Sequence, residues 1–163
     1  MKIAFKENQK FTQWWLWLIL FGIGVVPVFG IYKQLILGEK FGDNQMSDSG
    51  LIIFSLFVMS IIALFWFIKL KTEINQNKIE MSFFPFVKKS VNWKDVKQAE
   101  IVNYGFVGYG IRLGSKYGII YNIKGNKGLA IELQNGNKFV IGTQKEAELN
   151  TILNKISEQQ SKL

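Results

Sequence analysis

The sequence predicts an α+β membrane protein: a two-helix transmembrane hairpin followed by an antiparallel β domain that a C-terminal helix closes. Three observations predict it. Two uncharged apolar blocks lie within the first 70 residues; residues 69–142 alternate apolar and polar side chains between turn-forming residues; and residues 143–156 change to helical spacing.

The apolar blocks are residues 11–32, FTQWWLWLILFGIGVVPVFGIY, and residues 49–68, SGLIIFSLFVMSIIALFWFI. About 20 apolar residues cross a hydrocarbon core of roughly 30 Å, and both blocks reach that length. Neither has a polar face, and a chain of 163 residues has too little else to enclose them both, which argues against two buried helices of a soluble domain. A signal peptide is a poorer reading of the first block, whose apolar stretch is too long and lacks a convincing small-residue cleavage site. The hairpin unit is therefore 11–68, with spans of about 12–32 and 50–68.

Lysines orient it. Lys2, Lys6 and Lys10 outweigh Glu7 before the first block, and Lys69 and Lys71 directly follow the second. The connection carries two lysines against Glu39, Asp43 and Asp48. The positive-inside rule then predicts a multi-pass protein with both termini cytoplasmic and the short connection outside. Trp14, Trp15 and Trp17 should share an interface with Phe65, Trp66 and Phe67. Pro27 is expected to kink the first helix, and Gly22 and Gly24 to face Ser55, Ser60 and Ala63 at a close helix–helix contact. Neither span holds a charge, so the usual signature of a transporter or proton relay is missing.

The chain has no cysteine and no histidine. That removes disulfides, thiol chemistry, the commonest zinc ligands and the usual general base near neutral pH. Asp95, Glu100 and Glu132 form no readable catalytic pair, so no enzyme, metal or cofactor is expected. The excess of lysine over arginine, 19 to one, with many Asn and Ile, reads as the codon bias of an AT-rich bacterium.

From Lys69 onward, 15 Lys and Arg stand against 8 Asp and Glu. KLKTEIN, KIEMSFF and GLAIEL alternate with the period of half-buried strands. Turn residues at 75–77 and 124–126 separate such runs, and Asn135-Gly136 is a strong hairpin signal between LAIEL and KFVIG. Pro85 within FFPFV implies an edge strand or a bulge, because proline cannot donate to a ladder. Six or seven antiparallel strands are expected. Thr143-Gln-Lys-Glu146 then reads as a capping box opening a helix over about 144–157. Its stripe of Leu149, Ile152, Leu153 and Ile156 would plug an open end of the β structure, while residues 158–163 fray.

GYGIR at 108–112, YNIKGNKGLAIEL at 121–133 and NGNKFVIGTQKEAEL at 135–149 carry a resemblance. They resemble the closing strands, the Gly-Thr-Gln junction and the capping helix of the bacterial pleckstrin-homology-like (PH-like) family anchored at the membrane. The likeness covers about residues 69–156, and an N-terminal hairpin is a common companion of such domains. It implies a PH-like antiparallel β-barrel over 69–163, capped by the terminal helix, at the inner (cytoplasmic) membrane of a bacterium. It does not imply one function, since such barrels host lipid, peptide and self-assembly sites alike.

The glycine-rich stretch FVGYGIRLGSKYGIIYNIKGNKG, 106–128, suggests a phosphate cradle but does not make one. Gly108 to Gly114 has one residue too many for G-x-G-x-x-G, a strand-like segment follows it, and no Walker string occurs. These glycines read as turn chemistry. Arg112, the chain's one arginine, lies beside Tyr109 and is expected near Tyr121 and Asn122 across a strand pair. A guanidinium suits bidentate contact with carboxylate or phosphate; the plainer role is an internal pair with Glu132 or Glu100. Lys69, Lys71, Lys88, Lys89, Lys94 and Lys97 would gain about 1 kcal/mol each beside an anionic leaflet.

The candidate binding residues are thus Tyr109, Arg112, Tyr121, Lys69, Lys71, Lys88 and Lys89. The expected role is non-enzymatic. A protein partner or a second copy would bind at the cytoplasmic face, through strand edges near Pro85 and the 103–118 loops, with anionic lipid headgroups as the alternative ligand. The tether and the lack of a recognition motif argue against nucleic acid.

Overall fold

The computed structural model describes residues 3–105 and 108–160. The chain divides into two compact units, one nested in the sequence of the other: Phe11–Phe67 form the first, and Met1–Lys10 with Ile68–Leu163 form the second.

The inner unit is helical. Helix α1 (Trp14–Ile31) widens into a π turn at Tyr32–Ile36, and α2 spans Asp48–Phe67. The helical run Trp14–Ile36, of 23 residues, and the 20 residues of α2 are each long and apolar enough to cross a membrane. Trp17 meets Trp66 edge-on at 5.4 Å and Phe11 meets Phe65 at 5.5 Å, so the start of α1 lies beside the end of α2. A Cβ at Gly30 would come within 3.3 Å of Leu51, so the other ends meet too and the pair is antiparallel.

One seam is covered. It consists of Leu20, Gly24, Pro27 and Gly30 on α1, with Leu51, Ser55 and Val58 on α2, at the three-to-four spacing of a single helix face. Of the small residues expected there, Gly24 and Ser55 take part. Gly22 has nothing near it, and Ser60 and Ala63 face outward. Helix α1 runs through Pro27 without ending, and Pro27 lies on the seam. In the connection, the buried Gln34 donates to the Met46 carbonyl at 2.8 Å and to Asp48 at 2.6 Å, which ties the link to the start of α2.

The outer unit contains β1 (Ile3–Lys10), β2 (Lys69–Asn75), β3 (Lys78–Phe84), β4 (Val87–Asn92), β5 (Val96–Asn103), β6 (Gly110–Ser115), β7 (Gly118–Asn122), β8 (Lys127–Leu133), β9 (Lys138–Gly142) and helix α3 (Glu146–Gln160). One sheet runs β1-β2-β3-β4, antiparallel throughout; the other runs β5-β8-β9-β7-β6. Their inward faces, led by Phe5, Leu70, Ile74, Ile79 and Phe83 on one and Tyr121, Leu129, Ile131, Phe139 and Ile141 on the other, make the core.

Three sequence expectations change here, and one stretch left unassigned takes a structure. The barrel is not closed: no ladder among the described residues joins the two sheets. The strands are not all antiparallel, because the glycine-rich segment folds into its own β6–β7 hairpin, and β7 then pairs parallel to β9. Pro85 lies in the turn between β3 and β4, where its missing N–H costs no ladder bond. The basic stretch before the first helix is a strand, aligned along β2 with Lys10 opposite Lys69.

That strand is locked to the far end of the chain. Glu7, 5% exposed, accepts from Thr143 Oγ1 at 2.6 Å and from the Gln144 N–H at 2.8 Å. Gln9 Nε2 donates to the Gly142 carbonyl at 2.7 Å. The expected capping box therefore does not form. Thr143 spends its hydroxyl proton on Glu7 and accepts from the Lys145 N–H at 3.0 Å, while Glu146 pairs with Lys127 at 2.6 Å. A carboxylate beside a helix start is favoured by the helix dipole, and here Glu7 of β1 supplies it. Of the helix stripe, Leu149 and Ile156 are buried, Ile152 and Leu153 half-buried. The helix continues to Gln160, and residues 161–163, expected to fray, lie outside the described residues.

Candidate functional site

The seven candidate residues fall in three places. Lys69, Lys71 and Lys88 share the outer face of the first sheet, where the register runs Lys71 to Ser82 to Lys88. Lys71 and Lys6 pair with the same Glu73 carboxylate, at 3.0 Å and 3.2 Å. The Lys71 hydrogen bond leads in holding that carboxyl below its ordinary range. Lys71, Glu73, Glu80, Met81, Ser82 and Lys88 line a shallow depression of about 210 Å³. Lys69 places its ammonium 5.4 Å from the centre of the Phe84 ring.

Lys89 and Tyr121 lie between the sheets. Lys89 holds its ammonium 4.5 Å from the Phe139 ring centre and 5.6 Å from that of Tyr121. Tyr121 is 2% exposed and packs on Phe83 at 6.3 Å, and burial pushes its phenol pKa up. Tyr121 is thus buried, and Lys89 half-buried. Side chains alternate faces along a strand, so Lys88 and Lys89 part company although adjacent.

Tyr109 and Arg112 lie at the open end of the second sheet. Strand β6 is its edge, paired with β7 alone, and Tyr109 precedes it half-buried. Arg112 stands opposite Ile120, and Tyr121 opposite Ile111. One position of register puts Arg112 and Tyr121 on opposite faces, which separates the expected pair. The guanidinium lies over Gly108: a Cβ there would be 2.7 Å from Nη2. Phe106 and Val107, in the same loop, lie outside the described residues.

Neither expected acid pairs with Arg112. Glu132 is engaged by Lys97 at 2.5 Å and Lys138 at 2.8 Å, and the bonds from Lys138 and Lys97 hold its carboxyl pKa down at about 2. The linkage has a definite sign. Stability from this site is complete above the ordinary value of 4.5 and drains away as pH falls from there toward about 2. Glu132→Gln is accordingly expected to flatten the acid limb of the urea-midpoint curve across that window. An unchanged limb would mean that the two lysine pairs do not stabilise the fold.

Arg112 therefore stands exposed, with no ion pair among the described residues. Leu113 beside it is 76% exposed. The β6–β7 register slips between Arg112 and Ser115, and such a bulge re-aims side chains and twists an edge strand. Sequence reasoning passed over Leu113. In a regular strand it would share a face with Ile111, and only the slip turns it out.

The other face of this sheet is apolar too, with Val102, Ile120 and Val140 packed under Tyr104 and Tyr117. Burial pushes the Tyr104 phenol up to about 12. Among the described residues no group of three or more His, Cys, Asp or Glu is placed to hold a metal. No family model, curated protein or solved structure matches this chain.

Proposed function

We propose that this chain is a non-enzymatic, PH-like module anchored by two membrane spans, which uses the β6 edge on the cytoplasmic side to bind a polypeptide partner or a second copy of itself. The observation that carries it is the uncovered edge strand presenting Arg112 and Leu113. Unpaired strand edges invite another chain, and arginine is among the side chains enriched in interface hot spots.

The membrane part of the reading rests on what the helices leave uncovered. Leu18, Phe21 and Val25 on α1, with Ile53, Leu56 and Phe57 on α2, are exposed apolar side chains outside the seam. The pairing of β1 with β2 adds a topological reason. These strands flank the helices in sequence, so both must lie on the same side of any bilayer, and two crossings satisfy that where one would not. Lys10, Lys69 and Lys71 beside the helix ends favour the cytoplasmic side. Kinship with PH-like modules draws support from a run of strands ending in a single helix; the parallel β7–β9 pair departs from an all-antiparallel plan. The absence of histidine and cysteine from the sequence favours binding over catalysis.

Topology has a direct check, because the chain has no cysteine of its own. In intact cells Asp43→Cys should react with a membrane-impermeant maleimide, and Asn135→Cys only after permeabilisation. The reverse pattern would invert the proposed orientation.

The binding edge is tested with a photo-crosslinking amino acid at position 113 in native membranes, and at position 135 as control. A discrete adduct at 113, of either heteromeric or dimeric mass, is expected. Arg112→Ala should weaken the association about 30-fold, the equivalent of a hot-spot loss near 2 kcal/mol. Lipid adducts alone at position 113 would defeat the reading.

A further inference from the structure

Strand β3 ends at Phe84 and the turn into β4 is Pro85-Phe86, so this tip is apolar where turns are ordinarily polar. Phe84 is 47% exposed and Phe86 54%. We infer that this turn is a lipid-contacting wedge, seated in the headgroup boundary of the bilayer that the two helices span. The inference rests on the membrane reading above and goes beyond it by assigning the β unit a second, non-covalent hold on the membrane.

The register locates the turn. Phe84 pairs with Lys69, and Lys69 pairs on its other side with Lys10. Lys69 follows the last residue of α2 by two positions, and Lys10 precedes the first residue of α1 by four. The row Lys10, Lys69, Phe84 is therefore the end of the first sheet from which the chain leaves for the helices and to which it returns. Neighbouring strands are about 4.8 Å apart, so Phe84 follows within roughly 10 Å of both departure points. A residue two positions beyond a span lies at headgroup depth, and the turn extends that row.

The surrounding chemistry fits the same occupant. Lys10 and Lys88 have no acidic partner among the described residues, and Lys69 stands over the Phe84 ring. Aromatic rings ringed by lysines suit the membrane–water interface, where rings sit at headgroup level and ammonium groups meet anionic lipid. Two positions along from this row Lys71 shares Glu73 with Lys6, whereas Lys10 and Lys69 in the row itself have no acidic partner among the described residues.

The full chain tests this directly. Single variants Phe86→Cys, Phe57→Cys and Asn135→Cys are each labelled with an environment-sensitive fluorophore and reconstituted in vesicles containing phosphatidylglycerol. Lipids spin-labelled at shallow or deep positions then act as quenchers. The label at 86 should be quenched by the shallow lipid, the label at 57 by the deep one, and the label at 135 by neither. A label at 86 as unquenched as that at 135, with 57 still quenched, would overturn the wedge and assign the turn to water or to a protein partner. If the label at 57 is also unquenched, the membrane reading itself fails and the wedge with it.

Discussion

Residues 69–163 produced without the first ten residues are expected not to fold, whereas the same fragment with residues 3–10 joined to residue 69 through a short Gly/Ser linker is expected to unfold cooperatively. Strand β1 supplies Phe5, which is fully buried, and the Glu7 carboxylate that holds Thr143 and Gln144. Burying a phenylalanine contributes about 1.5–3 kcal/mol, and each hydrogen bond to a charged group about 1.5–3 kcal/mol. Together these reach roughly 5–9 kcal/mol, against a whole-domain stability of about 5–15 kcal/mol. Removing the strand also bares the edge of β2 and uncaps α3. Lys10 and Lys69 are direct partners, so a hairpin-length linker can replace the helical unit. Urea unfolding followed by tryptophan emission, which reports Trp93 here, distinguishes the cases. Equal midpoints with and without the strand would show that β1 is a passenger. Within the full chain, Glu7→Ala should cost about 2–4 kcal/mol, since the Thr143 hydroxyl and the Gln144 amide lose a charged acceptor together.

The second large effect concerns Gly118, where β7 begins. Its φ is +81°, and a Cβ there would stand 2.1 Å from the Lys138 carbonyl oxygen, which is backbone and cannot rotate away. Gly118→Ala therefore combines left-handed strain of about 1–2 kcal/mol with the separation of β7 from β9. The expected total exceeds about 3 kcal/mol, in the range of the more disruptive single substitutions. Gly136 is the control. Its φ is +82°, but nothing lies within 4 Å of its Cβ position, so Gly136→Ala should lose only the strain. Equal losses at the two sites would mean that the close approach of β7 to β9 does not matter.

These two sites mark where the sequence was readable and where it was not. Strands β2, β3, β8 and β9 were legible because each buries an alternating apolar set: Leu70 and Ile74, Ile79 and Phe83, Leu129 and Ile131, Phe139 and Ile141. The Asn135-Gly136 hairpin formed where local turn chemistry placed it. Strand β1 was not legible, because its buried face carries Glu7 and Gln9 as well as Phe5. Polar residues at core positions mimic a solvated tail until their partners, more than 130 residues away, are known. The parallel β7–β9 pair is likewise a long-range choice that no local signal records. Of the candidate residues, Arg112 and Lys88 are exposed and Lys69 and Lys71 half-buried on the outer face, while Tyr121 is buried and Lys89 turns toward the second sheet. Tyr121's direction depended on register, which a glycine-rich segment specifies weakly; Lys89's depended on which face of β4 packs on the second sheet.

The nesting of the helical unit between β1 and β2 has a consequence for how the molecule is made. Strand β1 is translated before both helices and its neighbour β2 only after them, and Thr143, which Glu7 holds, lies 136 residues downstream of it. On the proposed topology β1 waits unpaired on the cytoplasmic side while the hairpin enters the bilayer. A chain that threads one helix in place of two leaves β1 and β2 in separate compartments, where the first sheet cannot assemble. On that proposal, completion of the first sheet would report on membrane insertion, since β1 and β2 pair only when both ends of the hairpin lie on one side.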